Sequence, residues 1–370
     1  MLVLEKYLRL SYNDVSILPA VVSDIASRSE CNPYYSDGFL PLFTAPMSTV
    51  VDLDNYDLFE ENKIHAILPR NIDFDVRLNE CIKNNKWVSF SLREFEETFI
   101  NSEVKFTKAK VLIDVANGHM KKIFDLVKNA KQKYKDDLIV MIGNIANPQT
   151  YNEVLKCGAD YVRVGIGGGC GCITSTQTGV HMPSASLIEE ICNVKRQAFR
   201  KNSGIAWNKM PKIIADGGIR NYSDVIKALA LGADYVMIGS VFARMLESAG
   251  KVFYRYINSN KPIITSYHEV DKIIQRNNKF WLGEEEVEMV KIFYGMASKK
   301  GQDDLGLEKK TAEGTVKELK VEYTMRGWVE NMTDYLKSAM SYCDCIDISD
   351  FRHKAQVIPI SNNSYMSINK

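Results

Sequence analysis

Two thiols and a hydroxyl stand close together at Cys170, Cys172 and Thr174. They close a segment, Gly165 to Gly171, in which five of seven residues are glycine. Glycine on that scale lets the backbone reach positive φ and bring its N–H and C=O groups close to a ligand. A thiolate held there is an effective nucleophile toward an electrophilic carbon. Asp216-Gly217-Gly218 and Gly239-Ser240 have the composition of anion-binding turns, although any tight strand-to-helix turn also favours glycine. Asp114, Asn117 and Gly118 form a third polar group, and Gly143 with Asn144 a fourth. Glu313, in Thr311-Ala312-Glu313-Gly314, reads by itself as a surface carboxylate. The C-x-C pairs Cys170/Cys172 and Cys343/Cys345 are spaced more tightly than zinc ligands, which argues against a metal. None of His65, His119, His181, His268 and His353 makes a triad with Cys172 by spacing.

These groups need a scaffold, and the chain supplies eight short apolar runs. They are Leu42–Ala45, Ile64–Leu68, Trp87–Ser91, Val111–Val115, Leu138–Ile142, Tyr161–Val164, Ile213–Ala215 and Tyr235–Ile238. The runs are continuous rather than alternating, as parallel strands buried on both faces should be. Helical periodicity lies between most of them, as in Met120–Tyr134, Gln149–Lys156 and Ser223–Leu231. In the last, Ser223 is the expected N-cap and Gly232 the stop. Cys157-Gly158-Ala159-Asp160-Tyr161 and Leu231-Gly232-Ala233-Asp234-Tyr235 repeat one helix-stop-then-strand signal. With no second sheet pattern and no topological reversal, the expectation is a single (β/α)8 barrel over 1–370. Its active site then lies at the strand C-terminal ends, where the polar groups above all fall. A long Cys loop spans 165–212, an extension and flap 244–320, and C-terminal helices 321–350. The charged segment Lys299–Lys320 reads as a mobile flap or a solvated linker. Trp328–Ser341 reads as a helix on the outside of the barrel.

Composition narrows the partners. The 370 residues are 45% hydrophobic and 25% charged with a net charge of +1, so nucleic acid and membrane surfaces are not expected partners. The longest apolar runs fall short of the roughly 18 residues that span a bilayer. Glu5, Lys6 and Arg9 interrupt the N-terminal apolar pattern, against a secretory signal. Eight scattered cysteines suggest free thiols and a cytoplasmic location.

The motifs also stand in a familiar order. SYNDV at 11–15, APMSTV at 45–50, LIDVANG at 112–118, GN at 143–144 and RVGIGGGCGCIT at 163–174 are followed by IADGGI at 214–219, ALGADYVMIGS at 230–240, FYGMAS at 293–298 and AEGT at 312–315. Across residues 8–350 the chain resembles the IMP dehydrogenase/GMP reductase family. The resemblance implies a homotetrameric (β/α)8 barrel that binds a purine nucleotide and a nicotinamide cofactor, with Cys172 attacking C2 of the purine. Dehydrogenases of the family use an Arg-Tyr pair in the flap and usually Gln at the Glu313 position; here Gly295–Lys320 contains neither Arg nor Tyr. Glu313, Thr174, LIDVANG and FYGMAS resemble the reductase branch, and no regulatory (CBS) insertion separates strands 3 and 4.

The implied reaction is reductive deamination: GMP and NADPH give IMP, ammonia and NADP. Alternatives are an IMP dehydrogenase without its regulatory domain, a relative acting on a modified or deoxy purine nucleotide, and NADH in place of NADPH. By the resemblance Thr174 and Glu313 transfer protons at the departing ammonia. Asn144, Asp216, Gly217, Gly218, Gly239, Ser240, Tyr294, Met296 and Ala297 bind the nucleotide, and Asp114, Asn117 and Arg70 the cofactor. Carbonyls of Gly167, Gly169 and Cys172 bind a monovalent cation, K+. The chain departs from the family at Ser48, at Cys170-Gly171, at Arg163 and IADGGI (dehydrogenase-like), at GVHMPS (179–184) and in a long 251–291 segment.

Overall fold

The computed structural model describes residues 8–202, 204–257, 263–265, 273–277, 279–306, 308 and 311–368. Eight strands form one parallel sheet: β1 Leu42–Thr44, β2 Ile67–Leu68, β3 Trp87–Phe90, β4 Ala109–Asp114, β5 Leu138–Ile145, β6 Tyr161–Val164, β7 Lys212–Asp216 and β8 Tyr235–Ile238. The hydrogen-bonded order is β1-β8-β7-β6-β5-β4-β3-β2. A parallel bridge between Phe43 and His65 closes the ring, with Thr44 N donating to His65 O (2.9 Å) and His65 N to Leu42 O (3.1 Å). The barrel is therefore as the continuous apolar runs predict.

Each strand buries both faces. Outward residues such as Val88, Val111, Val140 and Ile213 join the core under the helices. Inward residues Phe43, Trp87, Leu112, Met141, Ile214 and Tyr235 fill the interior. Phe43 meets Trp87, Tyr161 and Tyr235 edge-on at 5.1–6.0 Å, which plugs the barrel below the site. The repeated Gly-Ala-Asp signal has one structural job. Asp160 and Asp234, at the feet of β6 and β8, accept the N–H of Val140 (2.8 Å) and Ile213 (2.7 Å) from the neighbouring strands.

The helices lie within three residues of their predicted bounds: Lys121–Tyr134, Tyr151–Cys157, Tyr222–Ala230 and Met325–Tyr342. The N-cap of Tyr222–Ala230 is Asn221, not Ser223, because the Asn221 side chain reaches the Asp224 N–H. Trp328 stacks on Tyr222 and meets Phe242 edge-on, which docks the C-terminal helix on the barrel exterior.

The expectation of no second sheet is wrong. After β8 come β9 Val252–Tyr256, β10 Ile263–Thr265, β11 Ile273–Arg276, β12 Lys279–Leu282, β13 Glu285–Tyr294 and β14 Val316–Lys320. They form an antiparallel sheet around β13, which accounts for much of the long 251–291 segment. Val252, Ile273, Phe280, Val287 and Met289 make its own core with Leu246 and Val321. Lys291, 2% exposed, anchors it to the barrel: its ammonium donates to the carbonyls of Met245 (3.0 Å), Leu246 (2.9 Å) and Ser248 (2.5 Å) in the loop after β8. The Lys299–Lys320 segment is likewise not a plain loop, since it contains the helix Lys299–Asp304 and β14. Residues 307, 309 and 310 of the predicted flap, and His268, lie outside the described residues. No helix among the described residues is long and apolar enough to cross a membrane.

Candidate active site

A cavity of about 1060 Å3 opens at the C-terminal ends of the strands, roofed by residues that follow β13. The loop after β6 forms one wall. A Cβ on Gly165, at φ +138°, would sit 1.9 Å from Asp216 O, so only glycine lets the chain leave β6 pressed against β7. Gly169–Cys172 is a reverse turn closed by Cys172 N donating to Gly169 O (3.0 Å).

The second wall is made by the flap, and backbone pairing places it. Gly314 forms an antiparallel bridge with Cys172; Ile173 N donates to Glu313 O (2.9 Å) and Thr315 N to Gly171 O (2.8 Å). On its other side Glu313 N donates to Ala297 O (3.0 Å). The pairing aligns three side chains. Cys172 Sγ donates to Thr174 Oγ1 (3.2 Å), and Thr174 Oγ1 donates to Glu313 Oε2 (2.8 Å). A thiol, a hydroxyl and a carboxylate thus form one hydrogen-bonded line on the cavity wall.

A charged network crosses the floor. Arg163, 7% exposed on β6, donates from Nη1 to Asp114 Oδ1 (2.6 Å) and from Nε and Nη2 to Asp216 Oδ2 (3.2 and 2.9 Å). Burial disfavours the guanidinium charge, but Asp216 and Asp114 outweigh it and raise its pKa. Asn144 Nδ2 donates to Asp216 Oδ2 (2.7 Å) and to Gly165 O (2.8 Å). Arg70 Nε and Asp114 Oδ2 form an ion pair at 3.4 Å without hydrogen-bond alignment, and both atoms are buried with no hydrogen-bond partner.

Such barrel-mouth chemistry has known relatives. A family model described as the IMP dehydrogenase / GMP reductase domain matches residues 98–368. The chain belongs to this family. It is 29% identical to a protein named GMP reductase from Streptococcus suis (strain 05ZYH33) over 362 residues, covering 94% of each chain. A GMP reductase from Streptococcus pyogenes serotype M5 (strain Manfredo) is 28% identical over 94% of each. A GMP reductase from Mesoplasma florum is 27% identical, covering 90% of this chain and 92% of its own.

Of the residues that the family resemblance singles out, the cavity gathers Cys172, Thr174, Glu313, Asn144, Asp216, Gly217, Gly218, Gly239, Ser240, Met296, Ala297, Asp114, Asn117, Arg70, Gly167 and Gly169. Tyr294 is the exception: it does not line the cavity, and its hydroxyl donates to Asp304 Oδ2 (2.6 Å). The amide of Gly218 is already bonded to Gly168 O (2.9 Å), so it is not one of the free N–H groups expected of an anion turn. Sequence reasoning treated Arg163 only as a branch marker and passed over its place at the centre of the network. The signal was there, because Tyr161 and Arg163 alternate with outward Val162 and Val164. His119 was also missed. Its Nε2 accepts from Ala146 N (3.0 Å), which leaves Nδ1–H facing Thr150 Oγ1 (3.0 Å), and burial lowers its pKa.

Proposed function

We propose that this chain catalyses the reductive deamination of GMP to IMP and ammonia with NADPH. The Cys172–Thr174–Glu313 line carries the reading. Cys172 Sγ attacks C2 of the purine, and the C2–amino bond breaks to leave a thioimidate on the sulfur. The Thr174 hydroxyl, hydrogen-bonded to Sγ, is placed beside whatever leaves that carbon, and Glu313 exchanges protons with the hydroxyl. The departing nitrogen therefore leaves as ammonia rather than as an anion. The flap offers no Arg or Tyr to activate water for the opposite, oxidative direction.

Asp216, fixed by Arg163 and Asn144, keeps Oδ1 for the nucleotide ribose, and Gly217, Gly239 and Ser240 surround the phosphate. Arg70 Nε and Asp114 Oδ2, which lack hydrogen-bond partners, lie beside Asn117 and suit a polar ligand with both donors and acceptors. The nicotinamide cofactor supplies hydride there when bound. Carbonyls of Gly167 and Gly169 each accept one internal hydrogen bond, which leaves a lone pair apiece for K+ alongside Cys172 O. A homotetramer in solution belongs to the same reading.

Absorbance at the nicotinamide band tests it. NADPH consumption that requires GMP is the expected result; NADH production from IMP would overturn it.

A further inference from the structure

The loop holds a second thiol that the reaction above does not use. Cys170 is exposed while Cys172 is half-buried, and the other six cysteines are buried. Cys170 and Gly171 are the central residues of the turn that Cys172 closes, so the chain bends between the two sulfurs. Two residues apart, their Cα atoms are held within about 7 Å even before bending, near the roughly 4.4–6.8 Å that a disulfide needs. Gly171 puts no side chain between them. A Cβ there would approach the Phe293 ring to 3.2 Å, so the side opposite the turn is filled.

A cation completes the arrangement. Lys317 Nζ, on β14, lies 3.7 Å from Cys170 Sγ. The ammonium faces the sulfur of the more exposed cysteine of the pair. The other C-x-C pair is buried. Cys345 Sγ is turned to Cys343 O (3.1 Å), and burial pushes the Cys345 thiol up to about 12 and raises that of Cys343. Burial likewise pushes Cys81 up to about 12 and Cys157 and Cys192 up to about 11.

We propose that Cys170-Gly171-Cys172 is a thiol–disulfide exchange site for small disulfides of the glutathione class. The Cys170 thiolate attacks one sulfur of the small disulfide, forming a mixed disulfide and releasing one thiolate. Cys172 then attacks Cys170 Sγ and expels the second thiolate. Two protein thiols are oxidised to one disulfide, and one small disulfide is reduced to two thiols. The bond occupies the electron pair that Cys172 needs for attack at C2, so turnover stops until a thiol reductant reverses the exchange. That last consequence rests on the proposed function; the exchange itself does not. A disulfide across a single residue is strained, which keeps it reducible.

The test uses the intact protein incubated with oxidised glutathione, then alkylated and mapped by peptide mass. The expected product is one peptide in which Cys170 and Cys172 both resist alkylation and carry no glutathione, with full recovery in dithiothreitol. In Cys170→Ala, glutathione should stay on Cys172 as a mixed disulfide. In Lys317→Met, wild-type chemistry should persist at a lower rate. Glutathione retained on Cys172 in the wild type with Cys170 free, or both thiols still alkylated, overturns the proposal. If the internal bond forms while NADPH turnover continues, the exchange site stands and the assignment of Cys172 as nucleophile falls.

Discussion

At each end of the barrel a carboxylate is buried among cations, and the two clusters differ in what they leave over. At the foot of β8, Asp234 is 1% exposed and both its oxygens are occupied. Oδ1 takes Arg352 Nη2 (2.6 Å), while Oδ2 takes Lys195 Nζ (2.8 Å) and the Ile213 amide. Burial alone would raise its pKa, but Lys195 and Arg352 hold it far below the usual carboxylate range. At the mouth, Asp216 spends one oxygen on Arg163 and Asn144 and turns toward the cavity, and Asp114 keeps an oxygen without a hydrogen-bond partner beside Arg70. Similar residues thus make a closed cluster at one end and an open one at the other. The difference is satisfaction: a closed set of partners holds strands together, and an open one retains binding capacity for a ligand.

That contrast can be broken at either end. The largest effect is expected at the mouth. Glu313→Gln should lower kcat by about 10²–10⁴-fold while nucleotide affinity stays within a few-fold, read by NADPH oxidation and equilibrium binding. A loss of binding instead would make Glu313 a structural contact. At the foot, Asp234→Ala should cost about 3–5 kcal/mol in urea unfolding, because Lys195 and Arg352 remain buried without their anion, and KM of the surviving folded fraction should not change. Arg163→Lys tests the mouth more gently. It keeps the charge and loses the fork, so kcat/KM should fall on the order of 10²-fold from misplacement of Asp216 while the melting temperature moves little. A large drop in melting temperature would make the two clusters alike.

The smallest effect is in acid. A carboxylate whose native pKa lies below its unfolded value contributes stability that is complete above the unfolded value, near 4, and is lost as pH falls below it. Asp234 should therefore leave the stability–pH curve flat through neutrality and steepen its limb below about pH 4. Asp234→Asn should flatten that limb.

The barrel was readable because parallel strands buried on both faces leave continuous apolar runs. The second strand was overread most: His65 contributes a single bridge, and the ladder proper is Ile67–Leu68. The second sheet was not readable, for a reason visible in β13. Its inward positions are Val287, Met289, Lys291 and Phe293, and its outward ones include Val290 and Ile292. A lysine on the buried face and two aliphatics on the other erase the alternation that would have announced a strand. The Cys loop was legible from glycine content. Glu313 was not, since its place beside Thr174 depends on backbone pairing between segments some 140 residues apart, and only the family resemblance supplied it. The alternation with Val162 and Val164 marks Arg163 as inward, but the network escaped because its partners Asp114 and Asp216 come from other strands about 50 residues away in sequence.

The lysine that hid β13 also limits what can be exchanged between relatives. Its ammonium takes over carbonyl acceptors that belong to the loop after β8, and four residues further on the same strand becomes the cavity roof at Gly295–Ala297. The outer hairpins of the extension are in this sense replaceable parts, whereas β13 is not. A chimera that imports a different extension must bring a cation at position 291 or re-satisfy the carbonyls of Met245, Leu246 and Ser248. Without that, the graft's fault would appear first at the roof of the cavity.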